Sequence, residues 1–231
     1  MIDEISFELC NVSMIGGSTK SSPRDCCVYL VVSSDFAILI DTGTGTAESM
    51  RRIMSNLRNK TSTESVKYIV VTHGHIDHAG GVEGLSRELP EAEIVAHEHT
   101  AKVIEQGDRV LSAASWYDLP LNSARVGITI SREFIIRNRE ELTFLIIPTP
   151  GHTPGSVVGV LECRDGKVLF GQDIHGPFMP EWGSDIALWR ESMQLLLNLK
   201  ADYLCEGHYG IIKGKSKVNA FINRYLEQHR R

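Results

Sequence analysis

Three histidines and an aspartate fall within six residues of this chain, between an apolar run and a pair of glycines. They are His73, His75, Asp77 and His78. The apolar residues 68–71 predict a buried strand that ends where these side chains begin. Side chains at i, i+2 and i+4 of an extended segment share a face, so the first three point together, whereas the fourth can point elsewhere. Such a loop can ligate two adjacent metal ions, and the fold must bring further ligands to it.

Four other polar residues also stand after apolar runs. They are Asp41, His152, Asp173 and His208. Functional sites of α/β proteins gather at the carboxyl ends of strands, so these positions predict one rim on which the residues meet the segment 72–81. Taken singly, each has a plainer interpretation as a loop histidine, a turn residue or a helix cap.

The remaining pattern predicts an α/β fold. Strands are predicted at residues 7–12, 28–32, 37–40, 66–71, 94–96, 133–137, 143–147, 157–161, 168–170 and 203–205. Helices are predicted at residues 46–57, 80–89, 100–106, 108–116, 186–199 and 218–228. The second half repeats the strand-then-helix order of the first, which indicates a four-layer αββα sandwich. Residues 97–130 are the least regular and are interpreted as a helical cap over the site or as surface decoration.

These residues resemble, in order, the motifs of the metallo-β-lactamase fold superfamily, and the match extends from Asp41 to His208. The resemblance implies the αββα sandwich as a single domain over residues 1–231. One metal ion would be held by His73, His75 and His152. The other would be held by Asp77, His78 and His208. Asp173 would bridge both, and Asp41 would be the buried carboxylate that orients the His-rich loop, with an N-cap for the helix near Thr46 as the alternative.

The resemblance implies two divalent metal ions as cofactors, with zinc as the first choice and iron or manganese as alternatives. Two such ions can share a bridging hydroxide that attacks an acyl or phosphoryl centre. Asp77 would ligate and also steer the nucleophile or receive a proton. The two cations outweigh the charges of Asp77, Asp173 and the hydroxide, so anionic or strongly polarised substrates are expected.

Within the superfamily the chain is most similar to the glyoxalase II-like and lactonase-like branch. β-Lactamases of the superfamily lack an aspartate at the position of Asp173, and Gly176 stands where lactonases often carry a tyrosine. Few residues follow His208, so a glutathione-binding C-terminal domain is not expected. The predicted function is hydrolysis of a thioester, ester or lactone. The alternatives are a phosphodiesterase on the same site, a mononuclear-iron persulfide dioxygenase, and a non-catalytic metal-containing regulatory protein.

The partner expected is a small-molecule substrate. A net charge of −5 provides no footprint for nucleic acid, and no apolar stretch reaches the length of a membrane span. Five cysteines without a framework, and no signal peptide at the start, favour a cytoplasmic location. Members of the family often form dimers, which leaves a homodimer as an open alternative.

Three more groups of side chains lie outside the proposed ligand set. His175 is interpreted as a catalytic residue that hydrogen-bonds substrate or shuttles a proton, or else as an exposed loop histidine. His97 and His99 look like a ligand pair, but the site is complete without them, which favours the start of a helix. Trp116, Tyr117 and Trp182 line the pocket or pack in the core.

Overall fold

Two β-sheets make up the centre of the protein in a computed structural model that describes residues 2–138 and 142–230. Within those ranges the first sheet runs in chain order: β1 (Glu4–Ser6), β2 (Cys10–Met14), β3 (Tyr29–Ser33), β4 (Ala37–Ile40), β5 (Val66–Val71), β6 (Glu93–His97) and β7 (Ile128–Ile130). The second contains β8 (Phe134–Arg137), β9 (Thr143–Pro148), β10 (Val157–Cys163), β11 (Gly166–Gly171), β12 (Tyr203–Glu206) and β13 (Gly210–Lys213), in the order β13-β12-β11-β10-β9-β8. Pairing is parallel from β4 to β7 and between β11 and β12, and antiparallel elsewhere.

Helices cover the outer face of each sheet. They are α1 (Ala47–Arg58), α2 (Ile76–Ala79), α3 (Val82–Glu88), α4 (Glu98–Gln106), α5 (Ala114–Tyr117), α6 (Ile186–Leu199) and α7 (Lys215–Gln228). Buried side chains of α1, α3 and α4 pack on the first sheet, and those of α6 and α7 pack on the second. No helix within residues 2–138 and 142–230 combines the length and apolarity that crossing a membrane requires.

The central strands are apolar throughout because both of their faces are buried. In β4, Ile38 and Ile40 point into the core between the sheets, whereas Leu39 points toward the helices. Alternation of side chains along a strand produces this division, and strands covered on both faces read as continuous apolar runs. Phe144 and Phe170 complete the core from the second sheet, with ring centroids 5.6 Å apart. The predicted αββα sandwich is therefore confirmed.

The chain passes from β4 to α1 in direct contact with the turn that follows α2. Gly45 has a φ of 73°, and a Cβ atom added there would collide with the carbonyl oxygen of Gly80. A Cβ atom at Gly80 would in turn collide with the carbonyl oxygen of Thr44. Both positions need glycine because the two backbones touch. This contact holds the segment 72–81 against the end of β4.

The strand predicted over residues 7–12 is confirmed only for residues 10–12, which belong to β2. The backbone N–H of Phe7 donates to the carbonyl of Cys10 at 2.8 Å and closes a turn, so that β1 and β2 form a hairpin around it. The short edge strand β7 and the hairpin strand β13 were not predicted. Lys213 lies at the end of β13, whereas Lys215 and Lys217 begin α7.

The predicted helix over residues 108–116 is also wrong, since only α5 is helical there. The side chain of Asp108 accepts from the backbone N–H groups of Val110 and Leu111, which makes a turn instead of a helix. Ala113 then adopts a left-handed conformation with a φ of 55°. The helix predicted over residues 80–89 is confirmed as α3, which begins at Val82, and the separate short helix α2 before it was not predicted.

Candidate metal centre

Three segments, which follow β5, β9 and β11, bring four side chains together. They are His73, His75, His152 and Asp173, whose ligand atoms all lie within 4.8 Å of one another. The Nδ1 atom of His75 is 3.1 Å from Nε2 of His73 and 3.0 Å from Nε2 of His152. An Oδ2 atom of Asp173 lies 3.7 Å from Nε2 of His152. All four side chains are buried.

A second group stands beside the first, on α2 and on the turn after β12. It consists of Asp77, His78 and His208, again within 4.8 Å. The Nε2 atom of His208 is 3.4 Å from Oδ2 of Asp77 and 3.2 Å from Oδ2 of Asp173. The other oxygen of Asp173 lies 3.4 Å from Nε2 of His78. Asp173 therefore faces both groups, as the resemblance implied.

The atoms at the centre of these groups fit a pair of cations. Among the described residues, Nε2 of His78 and Oδ1 of Asp173 are buried with no hydrogen-bond partner. Buried polar atoms nearly always have a hydrogen-bond partner, so acceptor atoms without one that face each other indicate a site that suits a cation. Imidazole and carboxylate donors without thiolate suit zinc, iron or manganese.

The electrostatics differ between the two groups. Burial lowers the pKa of His152 to about 4, and it holds the pKa of His73 well below its ordinary value, so these rings are neutral and free to bind a cation. Burial also disfavours the charged form of His208, but the neighbouring Asp173 carboxylate raises the pKa of His208 to about 9. The second group therefore attracts positive charge, which either protons or a metal ion can supply.

Asp41 holds the segment 72–81 in place from beneath. It is fully buried and adopts a left-handed conformation with a φ of 59°. Its carboxylate accepts from the backbone N–H and hydroxyl of Thr72 at 2.8 and 2.7 Å, from Nδ1 of His78 at 2.7 Å and from Nε2 of Gln172 at 2.7 Å. The bond to Nδ1 leaves Nε2 of His78 to face the site. The alternative role as a helix cap is wrong, because Thr46 caps α1.

His175 is fixed by a residue that the sequence analysis missed. Its Nδ1 atom lies 2.7 Å from Oε1 of Glu206, which is fully buried at the end of β12. The other oxygen of Glu206 accepts from the backbone N–H groups of His208 and Tyr209. Glu206 stands two residues before a predicted ligand, and this position was the only sequence signal for it.

Two cavities meet at this centre. The first, the metal cavity, has a volume of about 290 Å³ and is lined by predicted ligands together with Ala113, Trp116, Tyr117, His175, Pro177 and Trp182. The second, the outer cavity, has a volume of about 410 Å³ and shares Trp116, Tyr117 and His208 with it. The ring of Trp182 lies 4.5 Å from that of His75 and 4.8 Å from that of Trp116. The residues 97–130 thus supply an aromatic wall through α5.

Tyr117 and the histidine pair complete the surroundings. Burial and the neighbouring Asp77 carboxylate raise the pKa of Tyr117, so its phenol keeps its proton. His97 lies outside both groups, and its Nδ1 atom accepts from the backbone N–H of His99 at the start of α4. The predicted role of this pair as the start of a helix is confirmed.

Residues 22–208 match the sequence profile of the family described as the metallo-beta-lactamase superfamily. The chain is 27% identical over 202 residues to the beta-lactamase-like protein 2 homolog of Drosophila melanogaster. The alignment covers 84% of this chain and 62% of that protein. It is 24% identical over 187 residues to the atrochrysone carboxyl ACP thioesterase of Aspergillus fumigatus. This alignment covers 80% of this chain and 38% of the thioesterase. The matched region thus spans less than two thirds of either relative.

The fold is also found in solved structures. A metallo-beta-lactamase from Cronobacter sakazakii, an HARLDQ motif mutant, superimposes with a TM-score of 0.76 at 20% identity and covers 100% of this chain and 94% of that one. At this identity the likeness concerns the fold alone.

Proposed function

Because the chain belongs to the metallo-beta-lactamase superfamily, we propose that it is a metal-dependent hydrolase that cleaves a thioester, ester or lactone. The observation that carries the proposal is the position of Asp173, whose carboxylate lies between the two groups. Its Oδ2 atom is 3.7 Å from Nε2 of His152 in the first group and 3.2 Å from Nε2 of His208 in the second, and its Oδ1 atom is 3.4 Å from Nε2 of His78. The similarity to a thioesterase supports the acyl substrate class.

Seven side chains would hold two divalent cations. His73, His75 and His152 would hold one, Asp77, His78 and His208 would hold the other, and Asp173 would contact both. Such a pair supplies Lewis-acid polarisation of the substrate and lowers the pKa of water toward 7, and zinc is the first choice, with iron or manganese as alternatives.

The reaction adds water to the acyl carbon and breaks the bond from that carbon to sulfur or oxygen. Asp77 borders the metal cavity and receives the proton that the attacking water loses. The thiolate or alkoxide that is released gains a proton and leaves as the thiol or alcohol. His175 also borders the cavity, and the bond from its Nδ1 to Glu206 leaves Nε2 to donate that proton.

The role of His175 as proton donor predicts a dependence on the leaving group. In His175→Gln, we expect kcat to fall about a hundredfold for an alkyl ester, because its alkoxide needs a proton. For the matching p-nitrophenyl ester, whose phenolate leaves unprotonated, the loss stays under about tenfold. Steady-state kinetics on both esters measure the difference.

The matched control is His99→Gln, since His99 is exposed and borders neither the metal cavity nor the outer cavity. It is expected to leave both esters unaffected. Equal losses on the two esters in His175→Gln would mean that the residue only supports the structure.

Metal quantitation and a substrate panel test the proposed function itself. We expect about two zinc, iron or manganese ions per chain and hydrolysis of thioesters, esters or lactones that a chelator abolishes. The panel includes glutathione and coenzyme A thioesters, lactones, bis(p-nitrophenyl) phosphate and glutathione persulfide. Cleavage of the phosphodiester alone would identify a phosphodiesterase instead. One bound iron per chain, with oxygen consumed when the persulfide is added, would identify a persulfide dioxygenase instead. A dimetal protein inert on the whole panel would refute it.

A further inference from the structure

Arg24 projects into the outer cavity, beside the wall that this cavity shares with the metal cavity. Its guanidinium carbon lies 4.6 Å from the centre of the Tyr117 ring, and its Nη2 atom donates to the carbonyl oxygen of Tyr117. Stacking on an aromatic face restricts an arginine side chain that would otherwise be mobile. The positive charge therefore has a fixed position next to the proposed reaction centre.

The loop that carries Arg24 is also fixed. The adjacent Asp25 is buried, and its carboxylate accepts from the hydroxyls of Ser21, Thr44 and Ser49 at 2.5, 2.6 and 2.7 Å. It also accepts from the backbone N–H of Thr44 at 2.8 Å. The three bonds from Thr44 and Ser49 tie the loop to the start of α1, and the bond from Ser21 lies within the loop. They also occupy both oxygens of the carboxylate nearest to Arg24 in sequence.

No carboxylate within residues 2–138 and 142–230 lies within ion-pair distance of Arg24, although the chain carries 29 acidic residues and a net charge of −5. A guanidinium has five N–H donors, and the carbonyl of Tyr117 uses one of them in the described part of the chain. A planar fork of N–H groups matches carboxylate and phosphate oxygens. The side chain is thus held in position and left available to an anion.

The wall on which Arg24 stacks is built by α5, and the residues at both ends of this helix have left-handed backbone conformations. Ala113 and Asp118 flank the helix in left-handed conformations, with φ angles of 55° and 51°. Non-glycine residues held in this region concentrate at ligand-binding positions, where the surrounding structure offsets the cost. Trp116 and Tyr117 of this helix line both cavities.

We propose that the outer cavity binds an anionic group, a carboxylate or a phosphate, at one end of the substrate, with Arg24 as the residue that recognises it. The inference rests on the proposed function in one respect, namely that the other end of the substrate carries the acyl bond to be cleaved. It names the substrate class as acyl thioesters or esters with an anionic arm. Trp116 and Trp182 supply an apolar surface for the acyl part of such a molecule.

Matched substrates that differ only in charge test this inference. One pair is S-hexanoyl-3-mercaptopropionate and its uncharged amide, and the other is S-hexanoyl phosphopantetheine and S-hexanoyl pantetheine. In the metal-loaded protein we expect kcat/KM to be at least tenfold higher for the anionic member of one pair or both, the fold-change that a charge-assisted hydrogen bond provides. The pair that shows the preference identifies carboxylate or phosphate as the group recognised.

Arg24→Gln is expected to bring the ratio of kcat/KM between anionic and neutral members close to one, mainly through KM. Arg24→Lys, which keeps the charge but loses the planar fork, should give an intermediate ratio. Arg125→Gln is the control, because Arg125 is exposed and borders neither cavity, and it should keep the ratio of the unaltered protein. A melting temperature for each variant verifies that it is folded.

Binding of uncleavable thioether analogues separates this inference from the proposed function. Tryptophan fluorescence of the protein gives Kd for S-hexyl-3-mercaptopropionate and its amide, and for S-hexyl phosphopantetheine and S-hexyl pantetheine. Tighter binding of an anionic analogue that Arg24→Gln abolishes supports the subsite even if no thioester is cleaved. Equal Kd values within both pairs in the unaltered protein, or a preference that survives in Arg24→Gln, would overturn it.

Discussion

Replacement of Asp77 by alanine is expected to lower kcat/KM about a thousandfold and to leave the fold intact. The carboxylate stands in the second group of proposed ligands, 3.4 Å from Nε2 of His208 and 3.7 Å from Nε2 of His78. Its loss weakens cation binding at that position and removes the proposed proton acceptor. Metal-ion catalysis contributes several kcal/mol to barrier lowering, and about 4 kcal/mol corresponds to a thousandfold.

The fold should survive this change because the recorded polar contacts of the Asp77 carboxylate go to other residues of the site, His78, His208 and Tyr117. Burial raises the pKa of Asp77, so the native protein gains little from the carboxylate unless a cation is present. His78→Ala should lower activity to a similar extent. Steady-state kinetics measure the activity, metal analysis measures the cations bound, and thermal melting measures the stability of the fold.

Glu64→Ala makes the same change of charge at an exposed position before β5, at the opposite end of that strand from the site. It should retain full activity and metal content. Undiminished turnover in Asp77→Ala or His78→Ala would contradict the assigned roles. If the variant is unfolded, its loss of activity would be explained by the loss of structure and not by a role in the reaction.

Asp41→Ala is expected to destabilise the protein by at least about 4 kcal/mol. The change leaves buried donors of Thr72, His78 and Gln172 without an acceptor, and each such donor costs about 1–3 kcal/mol. Alanine at a φ of 59° adds about 1 kcal/mol. Urea unfolding of the metal-free protein measures the difference directly.

Asp41→Asn separates the two contributions, because asparagine tolerates the left-handed conformation. Its amide nitrogen would still face donors, so most of the loss should remain. Metal affinity should also fall about tenfold to a hundredfold in either variant, since His78 loses the bond that orients it. A change in unfolding free energy below about 1 kcal/mol in Asp41→Ala would show that other groups hold the segment 72–81.

The layers of the fold follow from local patterns, and so does the location of the seven proposed ligands after apolar runs, whereas their division between two cations was implied by the resemblance. Runs such as Ile38 to Ile40 are apolar without interruption because both faces of β4 are covered, and a polar residue directly after such a run marks the strand end. These signals are contained within a few consecutive residues. Asp41 could likewise be placed at the end of a strand before any tertiary contact was known, whereas its role was implied by the resemblance.

The residues that the sequence did not reveal depend on contacts between distant segments. Glu206 matters because β12 places it beside His175, which is 31 residues away in the chain. Arg24 gains its position from Tyr117, which is 93 residues away. The helix predicted over residues 108–116 failed for a local reason instead, because Asp108 accepts from the backbone N–H groups of Val110 and Leu111 and Ala113 adopts a left-handed conformation that local propensity disfavours.

The proposed ligands are divided between the two sheets. The first sheet carries the segment 72–81, and the second carries the loops that bear His152, Asp173 and His208. Neither half of the chain alone contains a complete set of donors, so the centre comes into being only after the halves have docked. A chain whose halves have not docked therefore lacks the full set of seven proposed ligands, and full occupancy by cations would report that the whole molecule has assembled.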